Sequence, residues 1–421
     1  TLEQAPTSGQ RRRLLALLRE TYHDDWAALQ RDFEVDGARS FEELDQRGRL
    51  YLRGGGEGIR TMRRFLGLMA ERYYSLVRGI IRKYDGRALI LGDRYQSFYY
   101  PEVARAAAGH VDAISCNLNA GWNDGSLARF QLDTLHALAG RPVFVSEFYL
   151  AARENGSGNQ NGPGFPVVDT QAERVAGFRR TLESLLHLPY VVGADWFQYY
   201  DEPTFGRADG ENFSFGLVDI HNRPYEQLVL AAAALDCTAQ KRRGQAPRPD
   251  AADGVPPAPA DPLAEFEPWL ALKGWDRERG YVKPASAFPM ADLYLCWSPG
   301  ALYLGVYAQD VVEPAFYRDN RVPEEDRAAW TGWAGDTRRE IRARVGAGAA
   351  ATVHGPAARV VRLSGLELNT RCVAAMELAP SLFGHGRFQA GDRVQLASAF
   401  RGHCRAYGTD WKGTFTLGNQ Q

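Results

Sequence analysis

PVFVSEFY, residues 142–149, and VVGADWFQYY, residues 191–200, are the stretches on which the fold turns. Each is a short apolar run, rich in β-branched and aromatic residues, that breaks into polar and aromatic side chains at its C-terminal end. The same grammar appears in ALILGDRY (88–95) and VDAISCNLN (111–119). Helical patterns lie between the runs, from Pro101 to Gly109, Leu127 to Ala139 and Thr170 to Leu188. Continuous apolar strands alternating with helices predict a parallel sheet covered by helices, an α/β fold. No GxGxxG or GxxxxGK[ST] follows any of the runs, so nucleotide binding at a doubly wound sheet has no support. A (β/α)8 TIM barrel, of which four units are visible here, fits better because the strand ends are crowded with Asp93, Arg94 and Tyr95; Asn117 and Asn119; Glu147 and Tyr149; and Trp196, Gln198, Tyr199 and Asp201. In such barrels those ends form the active-site face.

Working outward, RRRLLALLRETYHDDWAALQRDF (11–33) spaces its apolar residues as an amphipathic helix or helix pair. The glycines at 54–56 interrupt the pattern before a second helix from about Ile59 to Tyr84. Residues 236–262 are rich in Pro, Ala and charge and read as a semi-extended linker. From 263 to 421 come short alternating stretches such as ADLYLCWS (291–298) and ALYLGVYAQD (301–310), with Gly, Pro and Asp turns, which predict an all-β antiparallel sandwich. The expected division is therefore a partial barrel over 1–235, a linker over 236–262 and a sandwich over 263–421.

Fifty basic and 51 acidic residues leave a net charge of -1. That balance provides no field to hold nucleic acid or an anionic membrane, so the expected partner is a neutral ligand. No apolar run reaches the roughly 18 residues of a membrane span. Cys116, Cys237, Cys296, Cys372 and Cys404 show no metal-binding spacing and are expected to be unpaired, buried thiols. Neither an EF-hand nor another ligand set is present to imply a metal or organic cofactor.

Glu147 closes an otherwise apolar strand and would stand at the rim of a barrel. A carboxylate there suits the nucleophile of glycosidic cleavage as well as it suits a strand-end ion pair. The stretch WFQYYDEPTFGRADGEN (196–212) then interleaves aromatic rings with Gln198, Asp201, Glu202, Arg207, Asp209, Glu211 and Asn212. Flat sugar C–H faces pack on aromatic rings while hydroxyls need paired donors and acceptors, so this mixture suits carbohydrate better than a plain aromatic core would.

Residues 86–228 resemble the C-terminal half of clan A glycoside hydrolases, most specifically the β-agarases of family 50 and related β-galactosidase-like enzymes. The likeness is carried by VSEFY (145–149), ARENGSGNQN (152–161), VVGADWFQYYDEP (191–203), GRADGENFSFGLVDI (206–220) and RPYEQL (223–228). The resemblance implies a retaining β-glycosidase acting on a galactose-containing polysaccharide, with Glu147 as nucleophile at the end of barrel strand seven and Trp196 lining the sugar subsite. It also implies an acid/base glutamate at the end of strand four, usually preceded by asparagine. No Asn-Glu dipeptide of that kind occurs upstream of Arg11, so the acid/base is expected to lie before residue 1.

Asp93, Arg94, Asn117, Asn119, Tyr149, Gln198, Tyr199, Asp201, Glu202, Arg207 and Glu211 are expected to bind or orient substrate. The two asparagines suit turn formation before Gly121 equally well. Residues 263–417 resemble family 9 carbohydrate-binding modules, with Trp330, Trp333 and Trp411 as the candidate sugar-stacking rings. The competing reading is a noncatalytic carbohydrate-binding protein with a degenerate or truncated barrel. A polymer-degrading enzyme of this class is expected to be secreted or periplasmic, although the first residues, TLEQAPTSGQ, carry no signal pattern.

Overall fold

A computed structural model describes residues 2, 4–96, 98–119, 121–238, 248–263, 271–310, 314–334, 339–344, 352–354, 358–364 and 370–419. The chain opens with a helical lobe. Helices α1 (Gly9–Tyr22) and α2 (Trp26–Asp32) are a pair rather than one continuous helix, broken by His23 and Asp24 in left-handed conformation. Asp25 caps α2 by accepting from the backbone N–H of Ala27 and Ala28. A hairpin of β1 (Phe33–Asp36) and β2 (Arg49–Leu52), with α3 (Phe41–Gln46) between its strands, completes the lobe, and α4 (Gly58–Tyr84) leads out of it. Leu14, Leu17, Leu18, Leu29, Phe33 and Leu44 form its core.

Next comes a four-stranded parallel sheet in the order β3 (Arg94–Tyr95), β4 (Ile114–Asn119), β5 (Val143–Tyr149) and β8 (Val191–Trp196). Helices α5 (Pro101–Ala107), α6 (Arg129–Ala139), α7 (Gln171–Leu186) and α8 (Glu226–Ala233) connect and cover the strands. The sheet core joins Ile114, Cys116, Leu118, Val143, Val145 and Phe148 to Leu132, Leu135, Phe178 and Leu228 from the helices. Burial of aliphatic side chains of this size stabilises by about 1.5–3 kcal/mol each. Thr170 and Glu173 close a capping box that fixes where α7 begins. Small strands β6 (Ala151–Ala152) and β7 (Val167–Val168) pair after β5.

Both outer flanks of this sheet are bare among the described residues. Tyr73, Leu76, Ile80 and Tyr84 form an exposed stripe at helical spacing on α4, and Val192 on β8 and Leu230 on α8 are exposed at the other side.

The C-terminal part is a sandwich of two five-stranded antiparallel sheets, ordered β15-β16-β11-β10-β9 and β14-β13-β12-β17-β18. The sheets comprise β9 (Tyr281–Val282), β10 (Ala291–Ser298), β11 (Ala301–Asp310), β12 (Ala329–Ala334), β13 (Arg339–Arg344), β14 (Thr352–His354), β15 (Ala358–Ser364), β16 (Thr370–Leu378), β17 (Arg393–Arg401) and β18 (Gly408–Thr416). Trp297, Leu304, Val306, Trp330, Met376, Phe400 and Trp411 fill the space between the sheets.

The expected semi-extended linker is partly packed instead. Ala251 and Val255 are fully buried in the sandwich core, and Val255 pairs with Leu417 as Pro257 does with Trp297. The thiol expectation holds for Cys116 and Cys296, whereas Cys404 is half-buried and Cys237 exposed; all four are free, and the Cys372 side chain lies outside the described residues.

The sandwich is fastened to the parallel sheet. Ala128, at the N-terminal end of α6, offers no side-chain cap. The cap comes instead from β10, where Asp292 accepts from the backbone N–H groups of Arg129 and Phe130 and from the Tyr294 hydroxyl (2.8 Å). Trp122 and Phe130 share an apolar cluster with Trp275, Tyr294 and Tyr307. On its other flank the sandwich meets the helical lobe, where Gly55 N–H donates to Asp326 and Arg318 pairs with Glu34 and Asp36.

Candidate active site

Glu147 lies on β5 in register with Asn117 of β4, so the two side chains leave adjacent strands at the same level. The Asn117 amide hydrogen-bonds to the carboxylate. Arg94, from the end of β3, forms a direct ion pair with it. Burial raises the Glu147 carboxyl above its ordinary range, the neighbouring charge of Glu211 adds to that rise, and Arg94, Asn117 and Arg207 pull the other way. Its side chain is 14% exposed, which leaves room for contact with a ligand while most of its water is stripped away. Three neighbouring positions named from the sequence, Arg94, Asn117 and Glu147, therefore meet. Arg94 and Asn117 hold the carboxylate itself; Arg94 is exposed, whereas Asn117 is buried.

The remaining carboxylates divide by burial. Asp201 is fully buried and saturated: it accepts from Ser157 Oγ (2.7 Å), Tyr225 OH (2.6 Å) and Gly216 N–H (2.8 Å). Glu202 is also fully buried, accepting from Phe213 N–H at 2.6 Å and facing Arg207 at 3.4 Å. Burial raises the Glu202 carboxyl to about 7, with the neighbouring Glu211 carboxylate adding to the effect. These two side chains are enclosed and fasten the loop that follows β8, which corrects the expectation that both bind or orient substrate. Asp93 is exposed, but its two oxygens accept from Tyr73 (3.0 Å) and Tyr74 (2.9 Å) and tie α4 to β3. Arg207 gathers Glu202, Asp209 (2.6 Å) and Glu211 (3.1 Å), and both Arg207 and Glu211 stay partly exposed near Glu147.

Among the aromatic residues, Tyr149 is buried in a cluster with Phe165, Phe197, Phe213 and Phe215. Trp196 pairs in register with Phe148 and points with it to the helix side of the sheet. There it packs edge-on against Phe148 and Phe178, lies under the Arg174 guanidinium and donates its indole N–H to Phe215 O (2.9 Å). The structure thus makes Trp196 a packing residue in place of the expected subsite wall. Gln198 is half-buried and bonds through its backbone to Phe215 and Leu217, while Tyr199 is exposed. The side chain of Asn119 lies outside the described residues.

Asn155 folds the 152–161 loop on itself by accepting from Ser157, Gly158 and Asn159 N–H, and Asn159 and Asn161 stitch that loop to the loop after β8. Asn159 donates to Glu202 O (3.0 Å) and Asn212 Oδ1 (2.9 Å), and Asn161 donates to Ala152 O and accepts from Ser214 N–H (both 2.8 Å). Arg174, wholly buried on α7, bonds to Leu150 O and Gly216 O beneath them. The result is a rigid polar rim around one half-buried glutamate, built from residues that the motif ARENGSGNQN and the stretch 196–220 bring together.

No family model matches the chain. The curated β-agarase B of Vibrio sp. (strain JT0107) is 36% identical over 169 residues, 40% of this chain and 17% of that protein. β-agarase A of the same strain is 31% identical over 176 residues, again 40% of this chain and 17% of the other. The solved structure of PfGH50B, 28% identical, superposes with a TM-score of 0.50 over 58% of this chain and 35% of its own. This chain contains an agarase-like region. It spans 17% of the length of either curated relative.

In the sandwich, the agarase-like region's companion, the expected stacking tryptophans turn inward. Trp330 is fully buried with its indole N–H on Ser398 Oγ (2.7 Å), and Trp411 is buried in the same core. Alternation along a strand cannot reveal which of two sheets a tryptophan faces, and both face the interior. The side chain of Trp333 lies outside the described residues.

Proposed function

We propose that this chain is part of a retaining β-glycosidase that hydrolyses a galactose-containing polysaccharide of the agarose type, with Glu147 as its nucleophile. The observation that carries the reading is the half-buried Glu147 carboxylate at a parallel-strand terminus, held by Arg94 and Asn117. Retention needs a carboxylate that attacks the anomeric carbon and a second, protonated carboxyl roughly 5 to 5.5 Å away at the leaving oxygen. Arg94 and Asn117 keep the first carboxylate ionised and aimed. Burial removes the water that would otherwise shield its lone pairs.

The four parallel strands are read as half of a (β/α)8 barrel. Unpaired sheet edges beside the apolar stripe Tyr73, Leu76, Ile80 and Tyr84 favour completion by four further βα units. The acid/base is assigned to that complement, because Asp201 and Glu202 are bound into the loop and Glu211 is paired with Arg207. Agarose cannot enter a cell as a polymer, so the proposed place of action is outside the cytoplasm.

Turnover of agarose oligosaccharides and aryl β-galactosides is to be compared for the longest chain obtainable from the source, this 421-residue form and Glu147→Ala. Activity of the longer chain that vanishes in Glu147→Ala supports the reading. Glycan binding by the longer chain without any cleavage replaces it with the noncatalytic binding protein.

A further inference from the structure

Glu147 sits at an irregularity in the pairing of β5 with β8. Val145 pairs with Ala194 and Phe148 with Trp196, so two residues of β5, Ser146 and Glu147, stand opposite one residue of β8, Asp195. Neighbouring strands lie about 4.8 Å apart, so Asp195 leaves the sheet one strand away from the candidate nucleophile. Its side chain takes the same face. Val191, Ala194 and Trp196 of β8 pack with the helices, whereas Val192 and Asp195 are exposed on the opposite side. Phe144 fixes that face independently. A Cβ added at Gly193 would lie 2.7 Å from the Phe144 ring, so the ring crosses Gly193 on the side to which Asp195, two residues on, also projects. Ser146, two residues beyond Phe144, projects there too and donates from Oγ to Asn117 Oδ1 (3.4 Å), while the Asn117 amide bonds to Glu147.

Asp195 differs from the other carboxylates of the site in having no hydrogen-bond or ion-pair partner among the described residues. The arginines of this rim are committed elsewhere: Arg94 to Glu147, Arg174 to Leu150 O and Gly216 O, and Arg207 to Glu202, Asp209 and Glu211. A free carboxylate beside a nucleophilic one repels it, and enclosing both is costly unless the second is given donors when the site fills. An ionised carboxylate only accepts, through two oxygens, and neighbouring hydroxyls on a sugar ring supply the donors that match it.

We propose that Asp195 is a substrate-binding carboxylate of this site, accepting hydrogen bonds from hydroxyl groups of the sugar ring whose anomeric carbon faces Glu147 and so fixing how that ring sits over the nucleophile. This rests on the hydrolase reading of Glu147 and adds a residue that selects the ring by its hydroxyls.

The test compares the longest chain obtainable from the source with its Asp195→Asn variant on an aryl β-galactoside and on the 3-, 4- and 6-deoxy analogues, both proteins being checked by thermal melting. Asp195→Asn is expected to lower kcat/KM for the galactoside about 10- to 100-fold, the worth of hydrogen bonds to a charged acceptor, at an unaltered melting temperature. On at least one deoxy analogue, already deprived of the hydroxyl concerned, the loss shrinks to less than about threefold. No loss on the galactoside, or the same loss on every analogue, overturns the proposal. A lowered melting temperature with undiminished kcat/KM also overturns it, by making Asp195 an ion-pair partner for the remainder of the barrel. Calorimetric binding of an agarose-derived tetrasaccharide is measured alongside. A parent chain that binds this sugar but turns nothing over sinks the hydrolase reading of Glu147 by itself; Asp195 then stands if Asp195→Asn weakens that binding and falls if it does not.

Discussion

Asp292 fastens the sandwich to the sheet that carries Glu147, and replacing it with asparagine tests how. The carboxylate does two opposing things. It caps α6 through two backbone N–H groups, a contribution of roughly 0.5–2 kcal/mol for a helix start. It is also wholly buried, and burial raises its carboxyl from 3.8 to about 6 despite the Tyr294 and Arg129 hydrogen bonds that favour the charge. Because the folded-state value lies above the unfolded one, the stability linked to this group is full below about 3.8 and is lost as pH rises through about 6. At about 1.4 kcal/mol per factor of ten, the loss is on the order of 3 kcal/mol by pH 8, which exceeds the cap. An asparagine at this position would keep one acceptor for α6 and carry no charge. The expected outcome of Asp292→Asn is near-neutral stability at pH 4 and stabilisation by about 1–3 kcal/mol at pH 8, read from denaturant unfolding across that range. Equal destabilisation at both pH values would refute the reasoning and make the buried charge a net favourable cap.

Three further outcomes are expected. Arg94→Gln removes a group that holds the Glu147 carboxyl down, so the carboxyl rises further; the acid limb of a pH–activity profile of the longer, active chain moves to higher pH, and an unmoved limb counts against the ion pair as its regulator. Tyr225→Phe deprives buried Asp201 of a 2.6 Å hydrogen bond and Gly156 N–H of its acceptor. It costs about 2 kcal/mol in thermal unfolding and speeds proteolysis within 199–216, whereas a change below about 0.5 kcal/mol shows the loop is secured elsewhere. Trp330→Ala opens a cavity in the sandwich core and costs roughly 3–5 kcal/mol; a sandwich that stays equally stable but loses sugar binding restores the ring to a surface role.

The legible part of the molecule is the part written in periodicity. The helix pair, α4, the units around β4, β5 and β8 and the antiparallel sandwich all follow from apolar spacing and turn residues, because core burial imposes those periods directly. ALILGDRY reads as a strand, yet only Arg94–Tyr95 pairs with β4. With one neighbour instead of two, the earlier residues hold on by irregular bonds: Ile90 O accepts from Asp112 and Ala113, Ile90 N–H donates to the Asp112 carboxylate and Ala88 O accepts from Arg82. The hairpin β1–β2 escapes a periodicity reading because its strands are four residues each and interrupted by a helix.

At the site, the sequence places Glu147, Arg94 and Asn117 together, since register follows from strand ends. It cannot separate Asp201 and Glu202 from Glu211, because carboxylates in one loop look alike until their partners are known. Those partners, Ser157, Tyr225 and Phe213, come from elsewhere on the chain or from the turn's own backbone. The docking carboxylate Asp292 leaves no signal at all beyond the absence of a capping side chain at Ala128.

The most direct test of the account is to trap the covalent intermediate. The longest active chain is incubated with an activated 2-deoxy-2-fluoro-β-galactoside, digested, and the labelled peptide located by mass spectrometry. One sugar attached to Glu147, with activity lost in step, is the predicted result. A label on Glu202 or Glu211, or steady turnover with no labelled carboxylate, would contradict the assignment of Glu147 as nucleophile.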